Sequence, residues 1–360
     1  MSNKTAKEQT RIIILILILV VLVVVWIGTS FFVFDIIKSR KLDAEILSVY
    51  KTLTINPHRE GNRYDFLKKV VEEHGLDAGW RLLKSMGTPS ASLDSYLLGE
   101  YLYEKFGSNS IKKCHQSFLL GCRSGVVRSA IIAQGLNAIE ELKEIEEGCK
   151  ITDVRNSCSH GFGHGFSSFT NFNIREAISY CDRFQDHNRV PCYGGVFQEY
   201  YTFAPPERFT EKDIWKICSG LYGKSYGVCV FNLPDLWGIR YKLNIPNIIK
   251  QCLTASDEFT RTNCLLGASF RVVKLVKEDR GSAQNIIDQC RNLFPSTQVP
   301  LCIISAANVL VFYKYDSPQD VAKTVCSELE EKFKSACHDA MSLKTIFQTE
   351  EILKRHGLQF

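Results

Sequence analysis

Residues 245–267 read IPNIIKQCLTASDEFTRTNCLLG, and two cysteines divide the stretch into its parts. Ile245, Ile248 and Ile249 recur three to four positions apart, which is helical spacing, and this short amphipathic segment closes at Cys252. Ser256 and Asp257 follow as turn and cap residues. Cys264 then opens a second segment, with the small residue Gly267 three positions on. One helix ends near its cysteine, the chain turns, and the next begins near the partner. Both sulfurs then lie at the same end of an antiparallel helix pair, where their Cα atoms come within bonding range.

The pattern recurs along the chain. NIREAISYC ends at Cys181, KDIWKIC at Cys218, AQNIIDQC at Cys290 and DVAKTVC at Cys326. All fourteen cysteines fall into seven consecutive pairs: Cys114-Cys122, Cys149-Cys158, Cys181-Cys192, Cys218-Cys229, Cys252-Cys264, Cys290-Cys302 and Cys326-Cys337. Members of a pair stand 8 to 12 residues apart, and first members recur every 32 to 38 residues. A period in the mid-thirties marks a stack of helical hairpins. A small residue three positions after the second cysteine (Gly125, Gly161, Gly195, Gly267, Ser305, Ala340) lets neighbouring helices touch. Pairing within each hairpin is the expected disulfide register, each bond contributing roughly 2–3 kcal/mol. A rival register joins the second cysteine of one hairpin to the first of the next, and leaves Cys114 and Cys337 unpaired.

Outward from the repeat, the chain divides. Residues 12–34, IIILILILVVLVVVWIGTSFFVF, run 23 positions without a charge, long enough at about 35 Å to cross a bilayer core. They are read as an uncleaved signal anchor preceded by a cytoplasmic stub, 1–11. Lys4, Lys7 and Arg11 against Glu8 favour a cytoplasmic N-terminus. Fourteen paired cysteines place the rest in an oxidising compartment, periplasmic, extracellular or lumenal. Residues 35–62 are a juxtamembrane linker, 63–113 a cysteine-free cap with helices near 64–73, 76–87 and 91–106, and 114–360 the stapled repeats, closing with one helix over 340–358. The expected fold is thus all-α: a single N-terminal transmembrane helix and a disulfide-stapled αα-hairpin solenoid. With 44 basic and 39 acidic residues spread along the chain, no nucleic-acid footprint is present.

The period, the pairing and the compartment resemble the disulfide-stapled helical repeats of the Sel1-like, Helicobacter cysteine-rich type, over about residues 76–355. The element Cys158-Ser-His160-Gly-Phe-Gly-His164-Gly165 is similar to a C-x-H-G-x-G-H signature of membrane-anchored prokaryotic cysteine-rich proteins. The first resemblance implies an architecture; the second implies no chemistry.

Chemistry, if present, centres on His160 and His164, which share one face of a helix. Gly161, Gly163 and Gly165 interleave with them at roughly 1 kcal/mol of helix propensity each, which tight packing or a close ligand must offset. One reading is a metal or haem site, with Glu199, His187 or Gln198 as third ligand. The other is that the imidazoles satisfy loop carbonyls and the glycines serve packing. Gly161 stands where a zincin needs glutamate, and no C-x-x-C-H is present. Gly223-Lys224-Ser225 resembles the end of a phosphate loop, but Cys218 stands where its first glycine belongs. No G-x-S-x-G is present.

Two and six positions after the second cysteine stand Ser124 and Arg128, His160 and His164, then Gly194 and Gln198. Later repeats show Leu266 and Phe270, then Ile304 and Asn308, so polar functionality is read as concentrated in the first three. The expected binding surface is therefore Arg128, Gln198, Glu199, Tyr200 and Tyr201 around the histidines. The loop YYTFAPPER, 200–208, either contacts a partner or covers the adjacent hairpin. The expected function is a membrane-anchored extracytoplasmic binding or scaffold protein, an accessory subunit for other membrane or extracytoplasmic proteins, without a firm cofactor and touching the lipid bilayer only through 12–34. The alternative is a metal- or haem-binding redox protein.

Overall fold

The computed structural model describes residues 46–48, 50, 62–86, 90–115, 119–145, 149, 157–209, 215–278, 282–312, 318–343 and 346–360. Among them, all regular structure is helical. Three helices, α1 (Asn62–His74), α2 (Leu76–Met86) and α3 (Ser90–Phe106), form the cysteine-free cap. After a 3-10 helix, Gly107–Lys113, come α4 (Leu119–Gln134), α5 (Asn137–Ile145), α6 (Ser157–Phe169), α7 (Ile174–Cys181) and α8 (Asp186–Phe203). They are followed by α9 (Gly223–Arg240), α10 (Ile245–Leu253), α11 (Glu258–Glu278), α12 (Ala283–Leu293), α13 (Val299–Phe312), α14 (Pro318–Ser327), α15 (Glu331–Met341) and α16 (Thr349–Arg355).

The seven disulfides form within the hairpins, in the expected register, and leave no cysteine free. Their Cα separations run from 5.0 to 5.8 Å, the range a disulfide needs. First limbs are short and capped: Asn173, Asn244 and Ser282 each accept a hydrogen bond from the backbone N–H three residues on. Second limbs (α4, α6, α8, α9, α11, α13, α15) pack side by side in chain order, continuing from α3. Tyr226 pairs with Thr260 and Asp235 with Arg271, so the partners advance together and neighbouring second limbs run parallel. Their small residues meet backbone: a Cβ on Gly267 would lie 1.9 Å from the Phe231 carbonyl oxygen, and one on Gly125 2.1 Å from that of Tyr96. One hydrophobic core runs through the whole row.

Two expectations change. The helix expected over 340–358 breaks after Met341, and a 3-10 turn, Ile346–Gln348, precedes α16. The break redirects the chain so that Phe347 packs against Gly194 of α8 and Phe231 of α9. The single-pass membrane location is also corrected: no described helix is long and apolar enough to cross a membrane. Even the 21-residue α11 interrupts its apolar positions with Arg261, Arg271 and Lys274. The stub 1–11, the run 12–34 and nearly all of the linker 35–62 lie outside the described residues. The seven disulfides fit an extracellular setting.

Candidate functional site

Helix α6 carries both histidines, and its glycines decide how close its neighbours come. A Cβ on Gly163 would stand 2.0 Å from the Cys192 carbonyl oxygen, and one on Gly161 2.8 Å from Cα of Ser124. A Cβ on Gly165 would meet Ile131 at 2.7 Å. From the facing helix, Gly195 sits equally tight on the His160 carbonyl, at 2.0 Å. Helices α4, α6 and α8 therefore pack backbone to backbone, and dispersion across these contacts offsets the helix propensity the glycines give up. Side chains one turn apart on neighbouring helices meet as a result.

At the centre is Glu199 of α8, whose side chain is fully buried. Its Oε1 accepts from Arg128 Nε and Ser168 Oγ, each at 2.5 Å. Its Oε2 accepts from the Tyr96 hydroxyl at 3.0 Å and from His164 Nδ1 at 2.8 Å. Burial alone would raise the carboxyl, but the Arg128 charge and the donors on His164 and Ser168 hold it at about 2. Arg128 reaches on to Glu100 Oε1 at 2.5 Å and lies over the Phe203 ring, 5.3 Å from its centroid. Burial works against the guanidinium, yet Glu199, Tyr96 and Glu100 outweigh it and keep the charge. Burial pushes the Tyr96 phenol upward, so it stays a donor. Four helices, α3, α4, α6 and α8, thus share one buried polar network.

The outer part of the network is the histidine pair. His160 Nδ1 lies 3.1 Å from the Pro191 carbonyl oxygen. Its Nε2 lies 2.8 Å from Gln198 Oε1 and 3.2 Å from His164 Nε2. The rings are nearly perpendicular, with centroids 4.7 Å apart. His164 is 4% exposed, whereas His160 and Gln198 are partly open to solvent. Burial first, then His164, lower the His160 imidazole to about 4.

The structure joins most of the expected residues, in altered roles. Arg128 and Glu199 form a buried ion pair rather than a solvated surface. Glu199 faces Nδ1 of His164, so it orients that ring and does not complete a ligand set with the two Nε2 atoms. Among the described residues no three His, Cys, Asp or Glu side chains converge on one metal position. The His187 side chain lies outside the described portion. A haem plane does not fit between nitrogens facing each other at 3.2 Å. Tyr200 and Tyr201 are 7% and 5% exposed and so do not form the expected binding surface; their hydroxyls donate to Arg208 O and Asn232 Oδ1.

The loop after α8 covers its neighbour: Arg240 donates to the carbonyls of Tyr201, Thr202 and Ala204 and stacks on Phe209. Three members escaped the sequence reading. Tyr96 and Glu100 belong to a cap without cysteines to index it, and Ser168 lies one turn past His164, where continuing the i, i+4 spacing would have found it. Comparison with protein families, curated proteins and solved structures finds no match.

Proposed function

We propose that this chain is an extracellular helical-repeat binding protein that holds a partner polypeptide along one edge of its solenoid. The observation behind this reading is a row of exposed apolar side chains. Phe106, Ile132, Phe169 and Leu275 are 43%, 45%, 45% and 42% exposed. They sit in the last turns of α3, α4, α6 and α11. Because these helices run parallel, the four residues share the carboxyl-end edge of the row. Phe106, Ile132 and Phe169 fall on three successive limbs, and such a cluster marks a contact surface better than scattered apolar residues do. A solenoid presents such a row over a long distance, which suits an extended partner. Reading the hairpins as Sel1-like repeats rests on the same period and on one staple per hairpin.

The test is a double substitution, Ile132→Glu with Phe169→Glu, in the oxidised full chain. Both side chains are exposed, so the helical circular-dichroism spectrum is expected to stay unchanged. Crosslinks to the native partner, mapped by mass spectrometry, are expected to disappear. Undiminished crosslinks from a folded double variant would rule this edge out.

A further inference from the structure

We propose that His160 Nε2, His164 Nε2 and Gln198 Oε1 form a site for one divalent transition-metal ion of the zinc class. The argument starts from protons. A neutral imidazole has one N–H, and a carbonyl has none to give. The Pro191 carbonyl oxygen lies 3.1 Å from His160 Nδ1, so that nitrogen carries the proton. Both oxygens of Glu199 are already surrounded by donors from Tyr96, Arg128 and Ser168, so His164 Nδ1 donates as well. With both rings neutral, each Nε2 presents a lone pair, and the two face each other at 3.2 Å. Gln198 Oε1 adds a third acceptor, 2.8 Å from His160 Nε2. Exchanging the oxygen and nitrogen of that amide would satisfy both Gln198 and His160 Nε2. It would leave the His164 Nε2 lone pair still facing His160 Nε2 at 3.2 Å.

Something positive therefore belongs between them, a shared proton or a metal ion. Their 3.2 Å separation lies at the long limit of a hydrogen bond, about 3.2 Å for a nitrogen donor. The same separation is natural for two metal–nitrogen bonds of about 2.0–2.1 Å, which then meet at roughly 100–106°, near tetrahedral. The outer partners agree. Histidines that bind metal through Nε2 commonly donate Nδ1–H to a carboxylate or a backbone carbonyl, which fixes tautomer and ring plane. Glu199 and Pro191 supply one of each. Charge agrees too: the Glu199 carboxylate, held at about 2 by the Arg128 charge and by its donors, lies against the His164 ring of the pair. The partly exposed His160 and Gln198 give an ion its way in. Three protein donors leave a further coordination position to water or to a ligand.

The experiment uses the untagged, oxidised full chain, stripped with chelator and titrated with Zn2+ by calorimetry, with Co2+ as a spectroscopic substitute. One ion per chain is expected, and Co2+ is expected to show the intense visible bands of a four-coordinate site. His160→Asn and Gln198→Ala change partly exposed residues, and their folding is checked by circular dichroism. His160→Asn is expected to weaken Zn2+ by at least about 100-fold, and Glu199→Gln, which removes the orienting carboxylate, by about 10–100-fold. Absence of uptake by the wild type at millimolar Zn2+ would assign the pair a shared proton instead. Wild-type affinity in folded His160→Asn would place the ion elsewhere. Either result overturns the proposal.

Discussion

A carboxylate taken fully out of water needs its lone pairs met, and Glu199 has four donors on two oxygens. Only Arg128 among them is a permanent cation, and it also serves Glu100. Arg128→Met keeps much of the side-chain volume but removes the shared counter-charge of two buried carboxylates. The expected loss is about 3–5 kcal/mol, the range for breaking a buried pair from one side. Chemical denaturation measures it, and a loss below about 1 kcal/mol would mean that water or relaxation already screens the site. At this scale the sequence was half legible. The i, i+4 spacing brought His160 and His164 together, and the repeat register placed Gln198 and Glu199 one hairpin on. Which oxygen or nitrogen meets which was not legible, because it depends on helix separations set by Gly163 and Gly195 against facing carbonyls. Tyr96 was out of reach for another reason: it lies 103 positions from Glu199, with no cysteine to set its register.

The elements themselves were legible wherever a cysteine marked a limb. Expectation and structure differ where a neighbour, rather than local pattern, sets the boundary. The amphipathic pattern continues past Met341, but the chain breaks there because Phe347 gains the space over Gly194. Caps show the local side more clearly. Asp257 precedes α11 and accepts the Thr260 backbone N–H at 2.8 Å. Burial would raise this carboxyl, but the Thr260 backbone and hydroxyl outweigh it and lower it. Asp257→Ala is therefore expected to cost about 1 kcal/mol at neutral pH. The sign with pH follows from the lowered folded-state value. Its stabilisation is present above the unfolded value of about 3.9, and it fades as pH falls through the folded one. Thermal melts of the two proteins should differ at pH 7 and converge in strong acid. A gap that stays constant down to low pH would show that the ionised carboxylate is not the cap.

At the scale of the whole molecule, a stack of hairpins touches only its neighbours, so its stability divides into repeat terms and interface terms. Among the described residues two features depart from this: the buried network that ties Tyr96 of α3 and Arg128 of α4 to Glu199 of α8, and the C-terminal segment. Residues 346–360 return from α15 across four further second limbs, α13, α11, α9 and α8, and tie distant repeats together. Phe347 lies on α8 and α9, Thr349 accepts from Asn308 of α13 at 2.8 Å, and Lys354 sits 4.9 Å from the Phe259 ring centroid on α11. His356 adds a contact to Asp339 of α15 at 2.8 Å. None of these contacts reaches α3, α4 or α6. Deleting residues 344–360 should therefore leave the cap, α4 and α6 intact while loosening α8 and the later repeats. In hydrogen exchange, amides of α8, α9, α11 and α13 are expected to lose protection, by one or more orders of magnitude where a buried contact worth about 1.4 kcal/mol or more is removed. Those of α3, α4 and α6 should exchange as in the full chain. The disulfides remain in both proteins, so the comparison isolates the returning segment from the staples. Uniform loss across every repeat would mean that the solenoid unfolds as one unit and that its quasi-linear character is only geometric. No loss anywhere would mean that the segment rests on the repeats without stabilising them.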